Sequence, residues 1–165
     1  SRGGATADSF AGEAATAVAA ARWPGRFCRL PGRGNAGAWV DGGHNPDAAV
    51  ALAREIAAAP PWGKGRRLIA LWSMLTDKDS ARYLRALGPH LDGVVTYPLP
   101  HDRAADVAIL AQHARSAGLS CVETGGFGDG WGRARRWAGR DGVVLVGGSL
   151  AAVAEAYRHR VGSVR

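Results

Sequence analysis

A chain of 165 residues, 47% apolar and 21% charged, is long enough for one domain with a buried core, and its composition is that of an ordinary globular protein. No stretch approaches the roughly 18 consecutive apolar residues of a membrane span, and the first residues lack the basic-then-apolar order of a signal peptide, so a cytoplasmic address is expected. The net charge of +7 and pI near 10.4 leave open a nucleic-acid surface, a handler of polyanionic small molecules, or a plain use of arginine in a chain whose only lysines are Lys64 and Lys78.

Residues 10–22 are alanine-rich and helix-compatible, and Trp23-Pro24-Gly25 stops that helix. Residues 26–30 predict a short extended segment and 31–37 a loop. Ala38, Trp39 and Val40 predict a short buried strand running into Asp41-Gly42-Gly43-His44-Asn45-Pro46. Asn45 suits a helix cap and Pro46 a first turn. The helix is expected to reach about Ala59, with Val50, Leu52, Ala53 and Ile56 on its apolar face. A strand at 67–72, a helix at 78–87 with Tyr83, Leu84 and Leu87 on one side, a strand at 94–96 and a loop at 98–102 follow. Then come a helix at 103–117, a strand at 119–122, a helix at 130–138, a strand at 143–146 and a helix at 149–160. This alternation predicts an α/β fold, a Rossmann-like, mostly parallel sheet with helices on both faces. Residues 1–22 are expected to be a connecting segment and 23–165 the domain. Ligands of such sheets meet the loops at the carboxyl ends of the strands, here 41–46, 73–79, 97–103, 124–130 and 147–149.

Residues 41–47 place a carboxylate, two glycines, an imidazole and an amide at a strand-to-helix turn. Glycines let a ligand approach the backbone, and free amides at a helix start favour anions. Asp41 has the chemistry to accept from a ribose hydroxyl or to sit near Mg²⁺, and His44 to hold a carboxylate or phosphate. A capped turn with a surface histidine is the competing reading. Gly125-Gly126-Phe127-Gly128-Asp129-Gly130 invites a dinucleotide reading but lacks the full spacing and lies late in the sheet, so a flexible strand–helix loop is preferred. The arginines at 133, 135, 136 and 140 form a solvated helix face or an anion-binding patch. Trp39 and Trp72 are expected in the core, whereas Trp131 and Trp137, beside those arginines, are the one pair to test for base stacking. Cys28 and Cys121 read as buried thiols, and the histidines show no metal spacing.

Four motifs occur in order: Trp23-Pro24-Gly25-Arg26; Val40-Asp41-Gly42-Gly43-His44-Asn45-Pro46-Asp47-Ala48; Met74-Leu75-Thr76-Asp77-Lys78-Asp79; and Val144-Leu145-Val146-Gly147-Gly148-Ser149-Leu150. Together they resemble the C-terminal domain of the folylpolyglutamate/dihydrofolate synthase branch of the Mur ligase superfamily, across 23–150. The resemblance implies an ATP-dependent ligase that adds glutamate to dihydropteroate or tetrahydrofolate through an acyl phosphate. It implies that Arg26 reaches the ATP phosphates, that Asp41 and His44 lie between nucleotide and incoming glutamate, with Asn45 also at the nucleotide, and that Arg26 and His44 are the catalytic residues, His44 contacting the glutamate as well. Ser149 and Lys78 are implied as contacts of the glutamate carboxylates, with Arg103 a further candidate lining the cleft. A solvated helix-start lysine is an equally good reading of Lys78. Gly43 stands where that family most often has alanine, a change expected to be small. No G-x-x-x-x-G-K-[ST] run is present, so the phosphate cradle, the main Mg²⁺ ligands and the folate pocket are expected in other domains, and the chain alone is expected not to form the amide. The remaining alternatives are a non-catalytic nucleotide- or protein-binding module and a nucleic-acid binder, the last with only weak, non-specific affinity.

Overall fold

The computed structural model describes residues 26–31 and 37–159. Among them, two unbroken apolar runs, Leu68–Trp72 and Val143–Gly147, are buried along their whole length, as strands covered on both faces must be. They are β3 and β6 of a six-stranded sheet that also contains β1 (Cys28–Arg29), β2 (Ala38–Asp41), β4 (Gly93–Thr96) and β5 (Cys121–Glu123). The spatial order is β1-β2-β6-β3-β4-β5. β1 runs antiparallel to β2, and every other pairing is parallel.

Five helices are described: α1 (Pro46–Ala58), α2 (Ser80–Leu87), α3 (Val107–Ser116), α4 (Phe127–Ala138) and α5 (Leu150–Arg158). The first three cover one face, where Leu52, Ile56, Tyr83, Leu84 and Leu110 pack on Trp72, Val94 and Leu145. The last two cover the other, where Phe127, Ala134, Val153 and Ala156 pack on Leu71, Val95, Tyr97 and Val146. The alternation of strand and helix is thus realised as an α/β sandwich. The expected helix at 10–22, its stop at 23–25, the loop residues 32–36 and position 160 lie outside the described residues.

Several local expectations shift. α3 starts at Val107 rather than at 103, because Asp106 caps it, accepting the Ala108 N–H at 2.7 Å. Residues 103–104 instead pair with the loop after β3, Thr76 N–H donating to the Arg103 carbonyl at 2.9 Å beside a Leu75–Ala104 bridge. α4 starts at Phe127, so four of the six residues of the glycine-rich run are helix. Its Gly130 packs so closely that a Cβ would meet Leu71 Cδ1 at 2.8 Å. Tertiary packing overrides the poor helix propensity of glycine there.

On α1 the inward position is Ala49, while Val50 is 38% exposed. Trp72 is in the core but Trp39 is only partly buried. Trp131 and Trp137 pack against the core, Trp137 filling the space over Gly93 that a side chain would need. Both are partly buried and contribute to packing there. Cys28 and Cys121 are free and half-buried. Among the described residues no helix is long and apolar enough to cross a membrane.

Candidate functional site

Strand register brings three of the motifs side by side. Asp41 at the end of β2 stands opposite Gly147 at the end of β6, and Gly147 stands opposite Trp72 at the end of β3. The turns at 41–46 and 148–149 and the loop from 73 onward therefore emerge in neighbouring positions at the carboxyl end of the sheet. This is where open parallel sheets bind ligands. Small residues make the fit possible. A Cβ on Gly147 would meet the Asp41 carbonyl oxygen at 2.9 Å. Gly148 has φ +94°, and a Cβ there would meet Trp72 Nε1 at 2.5 Å and the Ser73 carbonyl oxygen at 2.6 Å.

Asp41 is only 8% exposed. Its Oδ1 accepts the Gly43 N–H at 2.8 Å and its Oδ2 accepts the Phe27 N–H at 2.9 Å. The carboxylate thus ties the residue after Arg26 to the turn that follows β2. The turn is close around Gly43. A Cβ there would lie 2.6 Å from Asp41 Oδ1 and 2.9 Å from Ala48 Cβ, so alanine fits only if the carboxylate moves.

Burial pushes the Asp41 carboxyl above its ordinary value of 3.8, against the lowering pull of the Gly43 and Phe27 N–H groups and of the Arg26 charge. Its proton is therefore bound more tightly in the folded chain than in the unfolded one. The stability this adds is complete below 3.8 and is lost as pH rises through the raised value. Asp41→Asn removes that titration. Denaturant unfolding across the acidic range is expected to show the variant gaining on the parent as pH rises. A stability difference that does not vary with pH contradicts the raised value.

His44 is half-buried, with Nδ1 3.2 Å from the Gly42 carbonyl. When Nδ1 carries the donated proton, Nε2 is the ring nitrogen left to face a ligand. Asn45 caps α1, its Oδ1 accepting the Ala48 N–H at 2.8 Å, and presents the helix start with its anion-favouring amides. Ser149 does the same for α5. Its Oγ accepts the Ala152 N–H at 3.1 Å, and the residue is 3% exposed. The hydroxyl proton remains available as a donor.

Lys78 and Arg103 are brought together by a residue that had not been singled out. Asp77 lies 2.9 Å from Lys78 Nζ and 3.8 Å from Arg103 Nη1, and the Lys78 contact holds its carboxyl below the usual range. Asp77 lies in the Met74–Asp79 motif, whose adjacent Asp77-Lys78-Asp79 charges were the sequence signal of this cluster. Tyr83 was expected only as core. It stacks on Trp72 at 6.0 Å between ring centres, and burial together with the Asp41 charge pushes its hydroxyl far above its ordinary value. No group of three or more His, Cys, Asp or Glu that could hold a metal stands together among the described residues.

A family model described as Mur ligase, glutamate ligase domain, matches residues 25–150. A probable bifunctional folylpolyglutamate synthase/dihydropteroate synthase of Halobacterium salinarum is 37% identical over 144 residues, which are 86% of this chain and 17% of that protein. E. coli FolC in complex with DHPP and ADP superposes with a TM-score of 0.73 at 31% identity, covering 87% of this chain and 32% of that one. A bifunctional folylpolyglutamate synthase/dihydrofolate synthase with Mn, AMPPNP and L-glutamate bound superposes with a TM-score of 0.72 at 30% identity, covering 86% of this chain and 32% of the other. The chain spans a minor part of each of these relatives.

Proposed function

The chain belongs to the Mur ligase family of glutamate ligase domains, and from that membership we propose that it forms one wall of the cleft of an ATP-dependent ligase joining glutamate to dihydropteroate or tetrahydrofolate. The observation that carries this reading is the lateral adjacency of Asp41, Gly147 and Trp72, which sets the turns bearing His44 and Ser149 beside the loop bearing Lys78. Similar chains holding ADP with DHPP, or AMPPNP with L-glutamate, support the choice of ligands.

ATP, when bound, supplies the phosphoryl group that turns the acceptor carboxylate into an acyl phosphate. The amine of glutamate then attacks the carbonyl carbon, phosphate leaves, and the nitrogen loses a proton. On this wall Arg26 stabilises the phosphoryl charge, and the Asn45-capped start of α1 and the Asp41 turn face the nucleotide. His44 stands between nucleotide and amine. Lys78 and the Ser149 hydroxyl hold the glutamate carboxylates. Mg²⁺ and the pterin are assigned to other domains of the complete, cytoplasmic ligase, and this domain does not complete the reaction by itself.

Steady-state kinetics of the complete ligase carrying this domain test the assignment. Lys78→Ala is expected to raise KM for glutamate by about tenfold or more while KM for ATP stays put, the signature of a lost charged contact made in ground and transition state alike. Unchanged glutamate KM in that variant sinks the carboxylate assignment.

A further inference from the structure

Among the described residues, Phe27 is the one non-glycine residue with positive φ, at 28°. A side chain in that region crowds its own backbone, so the conformation costs free energy and persists only where the surroundings over-determine it. Two independent grips do so here. The Phe27 N–H donates to Asp41 Oδ2 at 2.9 Å. Its ring packs 5.4 Å from Trp39 at 41° and 5.7 Å from Trp62 at 82°, and the two tryptophans are themselves 5.4 Å apart. The trio is half-buried against the core cluster of the α1 face. Trp62 lies in the loop that follows α1, outside the turns at the carboxyl end of the sheet. Chain held this firmly, immediately before a two-residue edge strand, is more than the pairing of Cys28 with Val40 requires. What it fixes is the point at which Arg26, itself exposed, leaves the sheet.

We propose that Phe27 is a positioning residue for Arg26, its backbone held by Asp41 and its ring held by Trp39 and Trp62, so that the guanidinium is presented to the phosphates in a fixed place. The inference rests on the ligase reading. A long, flexible side chain gains catalytic value from a fixed root, because a displacement of about 1 Å costs up to about 100-fold in rate.

A double-mutant cycle in the complete ligase tests it. Phe27→Ala is expected to lower kcat by about 10- to 100-fold with KM for glutamate unaltered, and Phe27→Tyr to restore the rate. In an Arg26→Ala background the same Phe27→Ala change is expected to cost less than about twofold, because a residue that acts through another has nothing left to act on. Equal losses in both backgrounds overturn the proposal, as does a Phe27→Ala protein that melts earlier but turns over normally. If Phe27→Ala does not fold, Trp62→Ala replaces it in the same cycle, with the same two outcomes deciding. Arg26→Ala leaving kcat untouched would instead remove the role given to Arg26 in the ligase reading, so the two failures are told apart.

Discussion

Gly148→Ala is expected to lower the thermal midpoint by on the order of 10 °C, the largest stability loss among single-methyl additions to this wall. Two costs add. The residue sits at φ +94°, where an alanine pays about 1–2 kcal/mol for crowding its own carbonyl. The new methyl would also stand 2.5 Å from Trp72 Nε1 and 2.6 Å from the Ser73 carbonyl oxygen, an overpacking that costs about 1–3 kcal/mol. The ring cannot swing away cheaply, because Trp72 is 1% exposed and stacked on Tyr83. Gly125→Ala is the control. A Cβ there meets nothing within 4 Å, and the change is expected to stay within about 0.5 kcal/mol of the parent. Calorimetry of the two variants decides, and a Gly148→Ala protein that melts with the parent would show the β6–β3 contact to be looser than described.

Arg26→Ala is expected to lower kcat of the complete ligase by on the order of 100- to 1,000-fold, the range for removing one preorganised group aimed at developing charge. Stability is expected to change little, since the side chain is exposed and Asp41, whose carboxyl feels its charge, keeps both of its backbone N–H partners. Arg26→Lys is expected to recover only part of the rate, because an ammonium does not reproduce the planar, forked donor set of a guanidinium. Rate measurements at saturating ATP and glutamate isolate the step. A kcat equal to the parent's in the alanine variant removes Arg26 from the chemistry.

Much of this architecture was written in local pattern. Apolar runs at 67–72 and 143–146 announced strands, and Asn45-Pro46 announced a capped helix that starts where expected. Asp106 carried an equally plain cap signal, outweighed in the sequence by the helix-compatible alanines before it. The extra turn of α4 at Phe127–Asp129, ahead of the expected start at 130, was illegible, because it goes with the burial of Phe127 against Tyr97, a residue from outside that helix. Strand order was illegible for the same reason. Alternating periodicity identifies a strand but not its neighbour, and β6 enters between two strands that precede it by many residues. The motifs named most of the candidate side chains, while the Asp77 link between Lys78 and Arg103 and the Asp41 grip on Phe27 arise only when distant segments meet.

The position of β6 has a consequence for how the protein is made. β2 and β3 never pair with each other; each is joined to the sheet's other half only through β6, the last strand described. A chain emerging from the ribosome as far as β5 carries the Asp41 turn and the Lys78 loop on two sheet fragments that are not yet paired with each other, although α1 and α2 belong to one core cluster, and each fragment has an open apolar edge of the kind that invites pairing with a neighbouring chain. The five residues Val143–Gly147 close both edges in one event. Joining of the proposed wall and closure of the exposed edges are therefore the same step, and slowing translation just before Val143 would lengthen the interval in which nascent chains are at risk.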